Sequence, residues 1–202
     1  MVESHLLAID TTSGSCSVAV SRGETVLKTK KITADKGYSE ILIPLINKVL
    51  IENELNIKKL DGFLVCTGPG NYTSLRVAIS TIRGLALACN KPSCGISLFD
   101  LLSTTQIKVL VLIKGPAEKI YAQNFSNGNQ VNPPRLMTMN EIEKTNEFYG
   151  CKAIGYRAKE IGRLLNSKSS FESTEISFKK FIMIGREKLK TKCGRPAPLY
   201  IK

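Results

Sequence analysis

The chain has 202 residues, 43% of them hydrophobic and 23% charged, which suits one ordinary domain or two small lobes and excludes a disordered chain. It carries 29 Lys and Arg against 17 Asp and Glu, a formal net charge of +12. Its one histidine, His5, stands at the start of a strand and reads as structural, so no paired-histidine metal motif, Ser-His-Asp triad or Cys-His dyad is on offer.

No run approaches the roughly 18 apolar residues of a membrane span. The first residues show no basic stretch leading into an apolar one, so the expected location is the cytoplasm. The six cysteines include no C-x-x-C pair, and four lie in apolar surroundings such as Leu64-Val65-Cys66. They are expected to be reduced and structural. The positive charge fits a surface that attracts phosphate backbones. It fits equally a compositional bias toward Lys, Ile and Asn, because the lysines are scattered rather than blocked.

In chain order, Leu6-Leu7-Ala8-Ile9 is a short apolar run predicting a buried strand, and Asp10 to Ser15 is a polar turn. Residues 16–20 alternate polar and apolar as a half-exposed strand does. Arg22-Gly23-Glu24 makes a hairpin, and 25–32 a third strand. A helix is predicted over 39–55, capped by Ser39, with Pro44 tolerated near its start. Its apolar face (Ile41, Leu42, Leu45, Ile46, Val49, Leu50) is widened by Ile43 and Ile51.

Residues 62–66 predict a fourth strand and Gly68-Pro69-Gly70 a turn. Asn71 caps a second helix over 72–89 that is apolar nearly all round and expected to be buried on more than one side. Residues 93–98 close the series as a fifth strand. The resulting order, β-β-β-α-β-α-β, is that of a ribonuclease-H-like unit.

Beyond about residue 103 the pattern is weaker. Strands are predicted at 108–113, 119–125 and 153–155, and helices at 139–147, 158–165 and 177–190. The expectation is a first lobe over 1–103, a reduced second lobe over 104–190, and a tail over 191–202 whose Leu199-Tyr200-Ile201 docks back on the protein. No tandem repeat is detectable.

Two motifs could carry chemistry. Asp10-Thr11-Thr12 places a carboxylate and hydroxyls at the end of the first strand, where a metal and phosphate could be held; equally it is a strand-ending turn. Gly68-Pro69-Gly70-Asn71-Tyr72-Thr73-Ser74-Leu75-Arg76 places glycines before a helix start, which suits an anion. Without the lysine of a Walker loop it is equally a tight turn and cap.

These segments, taken together, resemble the TsaB (YeaZ) family. The opening Leu6-Leu7-Ala8-Ile9-Asp10-Thr11-Thr12 is similar to its first strand. Gly37-Tyr38-Ser39-Glu40-Ile41-Leu42-Ile43-Pro44 is similar to its His-Ser-Glu…Pro helix. The Gly68 to Arg76 segment is similar to its Gly-Pro-Gly-Ser-Phe-Thr-Gly-Leu-Arg signature, and Pro198-Leu199-Tyr200-Ile201-Lys202 to its Pro-x-Tyr-Leu-Arg ending. Tyr38 stands where that family has His, Ser74 where it has Gly, and Lys114-Gly115-Pro116-Ala117 replaces an Asp-Ala-Arg-Arg type segment.

The resemblance implies a two-lobed α/β protein of the actin-like ATPase (ASKHA) fold. It implies a non-catalytic scaffold for threonylcarbamoyladenosine modification of tRNA, paired with a TsaD-like catalytic subunit and joined by a TsaE-like ATPase. Contact with tRNA would be indirect, and the chain would form a homodimer through the same helices when alone. No cofactor is expected on this chain, any ATP, ADP or metal being held by the partner. Interface residues are then expected at Ser39, Glu40, Ile41, Ile43, Pro44, Leu45, Thr73, Leu75, Arg76, Val77, Ile79 and Gly84, and a vestigial phosphate site at Asp10, Thr11, Thr12, Gly68 and Gly70. Two alternatives stand beside it: an actin-like ATPase or kinase using Asp10 and the Gly68–Gly70 loop, and a basic tRNA-binding accessory protein. A glycoprotease activity finds no support in these residues.

Overall fold

The structure, a computed structural model, describes residues 4–34, 36–105, 108–167, 169–191 and 193–201. The chain divides into two compact units, Met1–Leu98 with Ile176–Leu199, and Phe99–Glu175 with Tyr200–Lys202.

The first unit is built on a sheet of order β3-β2-β1-β4-β5. Strands β1 (His5–Asp10), β2 (Ser15–Arg22) and β3 (Thr25–Thr33) are antiparallel neighbours. β4 (Gly62–Cys66) and β5 (Ser93–Ile96) add parallel to β1 through helices α1 (Tyr38–Ile51) and α2 (Tyr72–Cys89). The near-unbroken apolar runs of β1 and β4 follow from burial on both faces. β3 lies at the edge, and its Lys28 and Lys31 are exposed, which blunts the edge against unwanted pairing.

Leu7, Ile9, Val18, Phe63 and Val65 point to the α1–α2 side and meet Leu42, Ile46, Val49, Ala78 and Ile82 there. Helix α6 (Phe178–Lys190) packs on the sheet through Gly185. A Cβ there would lie 2.2 Å from the Leu64 Cδ1, so only glycine lets the helix approach this closely.

The second unit repeats the plan in short form. Its sheet runs β11-β10-β6-β7-β8, with β9 also beside β7. β6 (Val109–Lys114) and β7 (Ile120–Ser126) are an antiparallel pair. β8 (Asn129–Gln130) and β9 (Arg135–Met137) extend it on the far side of β7, and β10 (Lys152–Gly155) and β11 (Ser170–Phe171) add parallel to β6. Between β9 and β10 lies the short α4 (Met139–Glu143), and between β10 and β11 lies α5 (Ala158–Leu164). Strand for strand this is the order of the first unit, antiparallel outer strands followed by two parallel insertions.

Several expectations are corrected. The domain reading placed 104–190 together, but α6 packs on the first sheet and belongs to the first unit. Helix α1 is capped by Gly37 rather than Ser39, and it ends at Ile51, four residues early, where a turn carries Glu54 to a positive φ of 53°. The fifth strand stops at Ile96, and Leu98 opens a further short helix, α3 (Leu98–Leu102). The helix predicted over 139–147 is α4 plus a separate 3-10 turn at Asn146–Phe148. A capping box explains where α4 starts: Thr138 and Glu141 satisfy each other's backbone N–H groups.

The tail as far as Leu199 lies along the first unit, while Tyr200, expected to dock back, is exposed. Pro196 is buried beside Gly95, and the Leu199 N–H donates to the Thr67 carbonyl at 2.9 Å. All six cysteines are free, with Cys16, Cys66, Cys94 and Cys151 buried. Among the described residues no helix is long and apolar enough to cross a membrane.

Candidate functional site

Asp10, Thr11, Thr12, Gly68 and Gly70 do come together at the carboxyl ends of β1 and β4. Asp10 is buried, and its Oδ1 accepts from the Thr12 N–H at 3.1 Å and the Thr12 hydroxyl at 2.7 Å. Burial pushes its carboxyl above the ordinary 3.8; the Thr12 bonds, a Cys66 thiol contact and the Lys31 charge oppose this. The same carboxylate, after burial itself, holds the Cys16 thiol up at about 11.

The turn is closed by the chain's own groups. A Cβ on Gly70 would lie 3.0 Å from the Thr12 Cα, so the two loops are in direct contact. Asn71 accepts from the Thr73 and Ser74 N–H groups at 3.0 and 3.1 Å, which satisfies donors that an anion at the start of α2 would use. The Ser74 hydroxyl, standing where the resembling family has glycine, donates to the Thr11 carbonyl at 2.9 Å and ties α2 to the turn. The arrangement is a packed joint between two loops. Among the described residues no group of three or more His, Cys, Asp and Glu is placed to hold a metal ion.

The outward faces of α1 and α2 differ in kind. On α1, Ser39, Glu40, Ile43 and Pro44 are exposed and Ile41 is half-buried. On α2, Thr73, Arg76 and Gly84 are exposed and Val77 is half-buried. Leu45, Leu75 and Ile79 are in the core, so three of the expected interface residues cannot reach a partner. Each sits one or two positions round from an exposed neighbour, on the stripe that meets the sheet.

The face also carries Tyr72 and Leu87, which the sequence reading did not single out, and Ile51, which it read as widening the apolar face. Ile51 is 75% exposed, Tyr72 54% and Leu87 82%, beside Ile43 at 43%. The Arg76 guanidinium covers the Tyr72 ring at 3.8 Å. A cleft of about 230 Å³ opens between the helix starts, lined by Gly37, Ser39, Asn71, Thr73 and Val77 among others. Tyr38 is buried and donates its hydroxyl to the Ala34 carbonyl at 2.5 Å, which makes it a packing residue at the foot of α1. Helix α2 is therefore buried on one side only within this chain, not on several as its composition predicted. Tyr72 and Leu87 could have been found as the apolar positions left over once the 75-78-79-82-86 stripe is assigned to the core.

Two units that share one strand order, each with antiparallel strands followed by parallel insertions, define an α/β protein of the actin-like, two-lobed class. A family model described as "TsaD: tRNA N6-adenosine threonylcarbamoyltransferase" matches residues 28–191. The chain belongs to that family, as a member of its TsaB (YeaZ) group.

It is 26% identical over 149 residues to the tRNA threonylcarbamoyladenosine biosynthesis protein TsaB of Buchnera aphidicola subsp. Schizaphis graminum, covering 68% of this chain and 70% of that one. It is 32% identical over 93 residues to the TsaB of Haemophilus influenzae, covering 46% and 39%. The match thus spans well under two thirds of the second relative. The solved structure of YeaZ from Pseudomonas aeruginosa superposes with a TM-score of 0.80 at 18% identity, over 98% of this chain and all of the other. That last likeness concerns the fold.

Proposed function

We propose that this protein is a non-catalytic partner subunit in threonylcarbamoyladenosine modification of tRNA, docking through the outer faces of α1 and α2 onto a TsaD-like catalytic subunit. One observation carries the reading. The two helices present Ile43, Ile51, Tyr72 and Leu87 to solvent, together with a glycine, Gly84, around which a Cβ would meet nothing within 4 Å. Nothing inside the chain requires glycine there, and a helix interior is destabilised by it by about 1 kcal/mol relative to alanine. A second helix packed close at Gly84 would supply the reason.

The names of the relatives support the tRNA modification, and the absence of a metal-holding cluster among the described residues is compatible with catalysis on the partner. In this reading ATP or ADP and a metal are held by the partner, a TsaE-like ATPase joins the assembly, and the isolated chain pairs with itself through the same face. The ATPase or kinase alternative has less support, because Asn71 and Thr12 occupy the donors and the space its phosphates would need.

Light scattering after size exclusion tests the docking. The chain mixed with the TsaD-like protein of the same organism is expected to give a one-to-one species in place of a homodimer. Ile43→Glu and Gly84→Glu are expected to abolish it with the fold intact, whereas Leu45→Ala, a core truncation costing about 2–5 kcal/mol, lowers stability first. Unchanged association in both surface variants would sink the placement.

A further inference from the structure

At its carboxyl end α2 leaves a groove of about 570 Å³, in the range of ligand sites. Arg83, Lys91 and Arg195 line it, and no carboxylate does so among the described residues. A second hollow of about 250 Å³ shares Pro92 with it and adds Arg186 and Lys190, against one acid among the described residues, Asp61. Asp61 is spoken for by Lys91 at 3.6 Å, and Lys190 by Glu187 at 2.6 Å. Arg83 and Arg195 have neither ion pair nor hydrogen bond among the described residues, and the Arg186 Nη1 is buried with no partner.

We infer that this groove is a docking surface for the phosphate backbone of RNA. The inference rests on the tRNA-modification reading above, which supplies RNA as the polyanion present. Guanidinium groups match phosphate oxygens in geometry and charge, and three of the five cations here are arginines. Among the described residues no aromatic side chain lines either hollow, so bases have nothing to stack on, and recognition falls on the backbone without regard to sequence. That suits a subunit that holds a substrate whose reacting base is chosen elsewhere. It also gives part of the formal charge of +12 a place on the molecule, with Arg83 and Arg195 unpaired among the described residues and Lys91 shared with Asp61.

The test uses the full chain alone, with an unmodified tRNA transcript as the probe and fluorescence anisotropy as the readout. Binding is expected to weaken along a straight log–log line between about 50 and 200 mM salt. Lys91→Gln with Arg195→Gln is expected to weaken it roughly tenfold and to reduce the salt slope by between about one and two, as two lost phosphate contacts predict. Lys159→Gln with Lys179→Gln, two exposed lysines elsewhere, is expected to leave binding within about twofold, both proteins being matched to the parent in thermal midpoint.

Equal weakening in the two double variants would overturn the inference, because the attraction would then be diffuse. Tighter binding of polyglutamate than of the transcript would overturn it in favour of an acidic protein segment. Gly84 and Leu87 of the docking face also line this groove, so co-elution with the TsaD-like protein is measured on the same double variant: retained co-elution is expected, and its loss would place the groove in the partner interface and overturn the inference. If co-elution is missing from the parent protein too, the partner reading fails, while the RNA titration still decides the groove.

Discussion

The two ends of α2 have opposite characters. At the amino end the chain answers its helix-start N–H groups itself, although the Thr11 hydroxyl is buried there without a partner among the described residues. Asn71 takes the first free N–H groups, Ser74 ties the helix to the Thr11 carbonyl, and Gly70 lies against Thr12 with no room between them. At the carboxyl end the helix opens on a groove whose arginines have no answering charge. The difference teaches that the two ends of one helix are finished independently: loops that return to the amino end satisfy it, while the tail that returns to the carboxyl end brings further positive charge rather than a counter-charge.

Four substitutions sharpen or break that contrast. The largest effect is expected from Gly70→Ala, whose methyl would meet the Thr12 backbone at 3.0 to 3.2 Å. Chemical denaturation should show a loss of about 1–3 kcal/mol, as for an overpacked core. A neutral result would mean the joint is loose enough to admit a ligand. Asn71→Ala removes a cap that serves two N–H groups and is expected to cost about 1 kcal/mol in the same assay. Rescue of that loss by millimolar phosphate would show an anion taking the vacated donors, against the closed reading.

Gly84→Ala, with open space around it, is expected to raise the stability of the isolated chain by about 0.5–1 kcal/mol while weakening docking. A stability gain with docking unimpaired would free Gly84 from the interface. The smallest effect, at acidic pH, belongs to Asp10→Asn. The folded carboxyl holds its proton above the ordinary 3.8 because it is buried, so the unfolded chain ionises first and stability falls as pH rises from there. Thr12, Cys66 and Lys31 are the groups facing it, and only Lys31 among them brings charge. The thermal midpoint of Asp10→Asn should therefore gain on the parent as pH rises from about 4, and the gain should level off once the folded carboxyl has ionised. A constant difference would mean that Asp10 is already ionised in the fold.

Local pattern alone placed the strands of the first unit and its helices α1 and α2. Apolar runs such as Leu6 to Ile9 and Gly62 to Cys66 have one stable use in a short chain, and the glycines at 68 and 70 can only be a turn. The second unit was legible only in outline. Its added strands β8, β9 and β11 are two or three residues long, too short for any periodicity to register.

For the candidate site, the sequence singled out α1 and α2 but did not separate their buried and exposed faces. Leu45 and Ile43 are both apolar at near-adjacent positions, and only the direction of the sheet decides that Leu45 is core and Ile43 surface. The groove had no signal at all, since Arg83, Lys91 and Arg195 are separated along the chain and converge only because the tail returns beside β5.

By itself, then, the sequence determined the strand and helix content of residues 5–96, the family resemblance, and the lack of a paired-histidine metal motif, because each depends on composition or on spacing within one element. Tertiary structure alone decided that α6 belongs to the first sheet, that the second unit repeats the strand order of the first, and that the Asp10 turn is sealed. Each of these is a contact between segments far apart in the chain, and such contacts are set by which faces must be buried together, a choice no single segment records.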